Sequence, residues 1–149
     1  MRVSTTDARE STRARGAPGA PPAAICGRAF RGRLEQVAEA RRFVAVLLAG
    51  TRVASAATAV VSELVANAIR HTRSGEPGGL LVLQVTRHRA GVRIAVVDEG
   101  GPKAPALREP YPDDLAESGR GLLTVEAYAT RWDWYGDADG RTVWADLTA

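Results

Sequence analysis

The chain has 149 residues, enough for one domain with a substantial core and too few for two. Its formal charge is +3 and its pI about 9.6, but residues 1–26 hold +2 of that charge, so the rest is nearly neutral and gives no electrostatic footprint for nucleic acid. Cys26 is the single cysteine, which excludes an intramolecular disulfide, and no apolar run approaches the roughly 20 residues of a membrane span, so the expected compartment is the reducing cytoplasm.

Residues 1–26 are rich in Arg, Ala, Pro, Ser and Thr and lack the apolar segment of a secretory signal; a disordered tail is expected there, with one domain over 27–149. A short strand is predicted around Ala29–Arg31. Helical spacing then runs through Leu34, Val37, Ala38, Ala40, Phe43, Val44, Leu47 and Leu48, with Gly50 as its stop. A second helix is predicted from Ala54 to His71, followed by the loop Ser74–Gly79. Leu81, Leu83 and Val85 alternate with Val82, Gln84 and Thr86, and Val92–Val97 is a β-branched run; His88–Gly91 between them predicts an antiparallel hairpin. Residues 103–118 form a Pro- and charge-rich loop, long enough to suggest a functional one. A third helix is expected from Gly121 through Ala129, and Arg131–Tyr135 with Thr142–Leu147 a closing hairpin. The fold class is α+β: a two-layer sandwich of a mixed, mostly antiparallel sheet with helices packed on one face.

Inside the second helix, Glu63, Asn67 and His71 stand four residues apart. Steps of four rotate only ~40° around a helix, so the three form one ridge. Unpaired burial of such a ridge is costly, so it is expected to meet water, a partner side chain, or a ligand with a metal. Asn67 offers an uncharged oxygen suited to Mg²⁺, and Glu63 can take a proton from an attacking hydroxyl. His71, at the helix end, is equally well read as a capping imidazole. Asp98 ends a core strand before Gly100 and Gly101; it can accept from an exocyclic amine, although Asp-Glu-Gly-Gly is also ordinary turn chemistry. Gly119-Arg120-Gly121-Leu122 opens a helix after the long loop, where free N–H groups favour an anion, or where the glycines act as a hinge. Gly140-Arg141-Thr142 precedes the last strand, where Thr142 can offer a hydroxyl to the same pocket or serve a plain hairpin. The two histidines lack zinc-site spacing, and no P-loop is present.

In this order the four motifs resemble the ATP-binding domain shared by histidine kinases, gyrase, the Hsp90 chaperone and the MutL mismatch-repair protein. Within that superfamily the chain looks most like the compact anti-sigma-factor serine/threonine kinases, especially the short regulatory versions of actinomycetes. The resemblance covers roughly residues 28–147. Glu63-Leu-Val-Ala-Asn67-Ala-Ile-Arg-His71 is similar to the family's N-box, Asp98-Glu-Gly100 and Gly119-Arg-Gly121-Leu to its two glycine boxes, and Gly140-Arg-Thr142 to its terminal box. It implies ATP and Mg²⁺ as cofactors. Asn67 would hold the metal, Asp98 would bind the adenine amine, and Gly100 would let the nucleotide approach. Gly119, Arg120, Gly121 and Leu122 would cradle phosphates under a lid from residues 103–118. Glu63 would be the general base that activates a serine or threonine on an anti-anti-sigma protein, while an unphosphorylated complex sequesters a sigma factor. Family members often dimerise; no direct contact with nucleic acid or membrane is expected. The alternative is a regulatory module that binds a partner, with or without nucleotide, and transfers no phosphate. It draws on one departure, Pro102 at the last position of the usual Asp-x-Gly-x-Gly, which fixes φ and removes an N–H. No helix pair bearing a phospho-accepting histidine precedes the domain, so a complete sensor histidine kinase is not expected.

Overall fold

The computed structural model describes residues 24–104 and 120–149. The elements in chain order are β1 (Ala24–Arg31), α1 (Gln36–Leu47), α2 (Ala54–His71), a 3-10 turn (Arg73–Gly75), β2 (Leu80–His88), β3 (Gly91–Asp98), α3 (Arg120–Tyr128), β4 (Arg131–Asp137) and β5 (Gly140–Thr148). The five strands lie in the order β1-β2-β3-β5-β4, and all four pairings are antiparallel. The α+β sandwich expected from the sequence is therefore the fold, with a sheet antiparallel throughout the described residues.

Strand alternation decides which face meets the helices. Leu81, Leu83 and Val85 of β2, Val92, Ile94 and Val96 of β3, and Val143, Ala145 and Leu147 of β5 are all buried in the core. They pack with Ala40 and Val44 of α1 and with Val60, Val61, Leu64, Val65 and Ala68 of α2, the central helix, which touches α1, α3, β2, β3 and β5. Small and β-branched residues give α2 a close approach to the sheet. Its end is fixed locally: Thr72 donates from both N–H and Oγ1 to the Ala68 carbonyl (3.2 and 2.6 Å), and Oγ1 accepts from the Ser74 N–H at 3.1 Å. That hydroxyl closes the helix and opens the next turn with one side chain. Helix α1 stops at Leu47, and Gly50 follows in the left-handed region (φ 78°).

Strand β1 is longer than the sequence predicts. It pairs with β2 from Ala24↔Arg87 to Arg31↔Leu80, so residues 24–26 belong to the sheet and Cys26 is an exposed strand residue rather than part of a tail. The periodic signal is missing because β1 is an edge strand in which Phe30 alone is buried. Its length is set by pairing along β2, not by its own pattern. No helix of the described residues is long and apolar enough to cross a membrane.

Candidate functional site

The ridge on α2 survives folding. Glu63 and Asn67 are half-buried and His71 is exposed at the helix end, while Leu64, Val65 and Ala68 between them are core. The C-terminal end of α2 faces the loop that leaves β3, and contacts from Arg73 and Ser74 hold the two together, with a further bond from the loop to β2. The Arg73 N–H donates to the Gly100 carbonyl at 2.8 Å. Ser74, fully buried, accepts from the Glu99 N–H at 2.9 Å. Glu99 Oε2 in turn accepts from the Leu80 N–H at 3.0 Å. Arg73 also reaches across to the β4–β5 turn, donating to the Ala138 carbonyl at 2.6 Å and to the Glu99 carbonyl at 3.3 Å. A single arginine thus ties the helix end, the β3 loop and the last hairpin.

Asp98 stands at this junction. It is 6% exposed, and its Oδ1 accepts from the Gly100 N–H at 2.7 Å, while its second oxygen has no donor among the described residues. Burial pushes its carboxyl above the ordinary range, against the opposing pull of the Gly100 N–H and the Arg141 charge. A buried carboxylate short of donors is suited to accept one from a ligand. Gly100 makes the turn possible. Its φ is +76°, and a Cβ there would lie 2.2 Å from the Ala138 carbonyl oxygen, so glycine is required on two counts. Gly101 passes close to α2, where a Cβ would meet the His71 carbonyl at 3.2 Å.

The terminal box divides between the two sheet faces. Asp98 pairs with Arg141 and Val97 with Thr142, and alternation continues from Arg141 through the core residues Val143, Ala145 and Leu147. Arg141 therefore shares the face of Asp98. Thr142, expected at the base pocket, instead shares the opposite face with Trp144 and Asp146. The physical reason is the pleat, which turns neighbours to opposite sides. Arg141 is a site residue that sequence reasoning passed over, although its alternation with Val143 placed it inward. Its Nη2 donates to the Gly101 carbonyl at 2.6 Å and its Nη1 to the Lys103 carbonyl. Its guanidinium carbon lies 5.5 Å from the Trp134 ring centroid.

The second glycine box is placed only in part. Arg120, Gly121 and Leu122 form the first turn of α3, which packs against α2; Gly119 and residues 105–118 of the lid expected over 103–118 lie outside the described residues. The structure accordingly brings together Asp98, Gly100, Gly101 and Arg141 with the end of the helix that carries Asn67, and sets Thr142 apart from them.

Five antiparallel strands with helices on one face, and an aspartate-glycine turn beside a polar helix ridge, define an α+β sandwich with a candidate site at one end of the central helix. Residues 30–147 match the family model of the histidine kinase-like ATPase domain. The match spans well over half of the chain, and the protein belongs to that family. No curated protein matches the chain at a significant level.

Proposed function

We propose that this protein is a Mg-ATP-dependent serine/threonine kinase of the cytoplasm that acts as an anti-sigma factor and phosphorylates an anti-anti-sigma partner. The observation that carries the nucleotide reading is the buried Asp98, whose Oδ2 takes no hydrogen bond from the described residues, held by the left-handed Gly100 beside the end of α2. Asp98 accepts a hydrogen bond from the adenine amine. Asn67 supplies one neutral oxygen to Mg²⁺, an ion that takes most of its ligands from water and phosphate and does not need an acidic cage. The backbone of the first turn of α3, Arg120 to Leu122, with Gly119 before it, offers N–H groups to phosphate. ATP, when bound, supplies the phosphoryl group, and catalysis consists mainly of positioning and electrostatics. Glu63, one turn before Asn67 and half-buried, takes the proton of the serine or threonine hydroxyl of the partner. Thr142 has no part in the base contact on this reading.

A second reading, a partner-binding module without phosphoryl transfer, is favoured by Pro102, which removes one N–H from the loop after Asp98. Two variants separate the readings. Asn67→Ala is expected to abolish Mg-ATP binding measured by calorimetry; unchanged affinity would sink the assigned site. Glu63→Ala is expected to bind ATP normally yet lose radiolabel transfer to the cognate partner by at least about a hundredfold. A wild-type protein that binds ATP and labels no genuine partner would establish the module reading.

A further inference from the structure

Arg141 is almost wholly buried, 4% exposed, and lies directly across the β3–β5 ladder from Asp98. Its two terminal nitrogens donate to the carbonyls of Gly101 and Lys103. Those carbonyls flank Pro102, the residue with no N–H of its own to tie the loop down. Its Nε is buried with no hydrogen-bond partner among the described residues, which costs free energy. Apart from the Trp134 ring on β4, the described contacts of this guanidinium serve the β3 loop and the neighbourhood of Asp98. A planar fork fits two carbonyls at once, which a lysine ammonium cannot do with fixed geometry.

We propose that Arg141 is a positioning residue for the nucleotide: its guanidinium clamps the carbonyls on either side of Pro102 and so fixes the course of residues 100–103 relative to Asp98. This rests on the reading of Asp98 as the carboxylate that receives the base. The clamp anchors one end of the loop to β5, while Arg73 anchors the other through the Gly100 carbonyl and the Ala138 carbonyl. Arginine thus supplies, from the adjacent strand, donors to the carbonyls on either side of the proline.

The test combines amide hydrogen exchange of the nucleotide-free protein with ATP titration, for wild type, Arg141→Lys and Pro102→Ala. Arg141→Lys keeps the charge and loses the fork. It is expected to speed exchange at Gly101, Lys103 and Ala104 by about tenfold and to weaken ATP binding by about tenfold, on the scale of one charge-assisted hydrogen bond. Pro102 is exposed, and Pro102→Ala, with the clamp intact, should leave both within about twofold. The proposal is overturned if lysine preserves wild-type exchange and affinity, if affinity falls with exchange unchanged, or if Pro102→Ala alone releases the loop. Should Arg141→Lys fail to fold, the Pro102→Ala result decides between arginine clamp and proline stiffness. A wild-type protein that binds no ATP while its exchange responds as expected would instead overturn the nucleotide reading and leave the loop clamp standing.

Discussion

Two aspartates in one sheet have opposite fates. Asp146, on the face away from the helices, receives both forks of Arg93 at 2.6 and 2.8 Å and a third bond from Arg131 at 2.9 Å. Arg93 also lies 4.0 Å over the Trp144 ring. These donors, Arg93 foremost, hold its carboxyl below the usual range despite partial burial. Asp98, on the helix-facing side, is no more exposed, yet it receives one backbone N–H and is pushed upward by burial. The first arrangement completes itself and stabilises the sheet. The second has one donor among the described residues and its charge is disfavoured by desolvation, which suits a group that meets a ligand. Similar burial of the same residue type therefore separates structure from function only when donors are counted.

Gly100→Ala should have the largest effect of the substitutions that probe this contrast. The new Cβ meets the Ala138 carbonyl and the positive φ is unfavourable, so a loss of about 2 kcal/mol or more of stability is expected, with nucleotide binding abolished. Urea denaturation checks the first and ATP titration the second. Asp146→Asn should cost about 1–2 kcal/mol, discounted because Arg93 and Arg131 are partly exposed, and should leave ATP affinity unchanged. Its pH signature is defined. A depressed folded value means that the stabilisation is present above the ordinary 3.8 and is lost as pH falls through the folded value, so denaturation midpoints of the variant should fall less steeply on acidification than those of wild type. Asp98 has the reverse sign: its raised folded value favours the folded state below 3.8, and that contribution is lost as pH rises through the folded value. Thr142→Val is the smallest change, with ATP affinity within about twofold by titration, because its side lies with Trp144 and Asp146. A tenfold loss would return Thr142 to the pocket and break the division of faces.

Much of the fold was legible because its core is periodic. Leu81, Leu83 and Val85 alternate, α2 carries helical spacing, and the turn at Arg89-Ala90 sits inside the expected hairpin. The glycine after Asp98 was legible as a turn and proves to be one that no other residue fits. Three features were missed, each for a physical reason. The start of β1 is dictated by its pairing partner. The side of the sheet on which Thr142 falls is set by the pleat, through alternation with Val143, Ala145 and Leu147, and the motif Gly140-Arg-Thr142 does not carry that alternation. The network of Arg73, Ser74 and Arg141 joins residues far apart in sequence, Arg73 to Ala138 and Arg141 to Gly101, and composition or spacing cannot foretell such contacts.

The claim that Asp98 receives the base of a nucleotide is tested most directly by isothermal titration of Mg-ATP into wild type and Asp98→Asn, with unfolding measured on the same samples. The asparagine can still accept from Gly100 while it relieves the buried charge and cannot match a carboxylate as acceptor for an amine. The account predicts saturable binding by wild type, a loss of affinity of at least about a hundredfold in the variant, and a fold as stable as before or more so. Equal affinity in the two proteins, or a variant that loses stability together with binding, would contradict it.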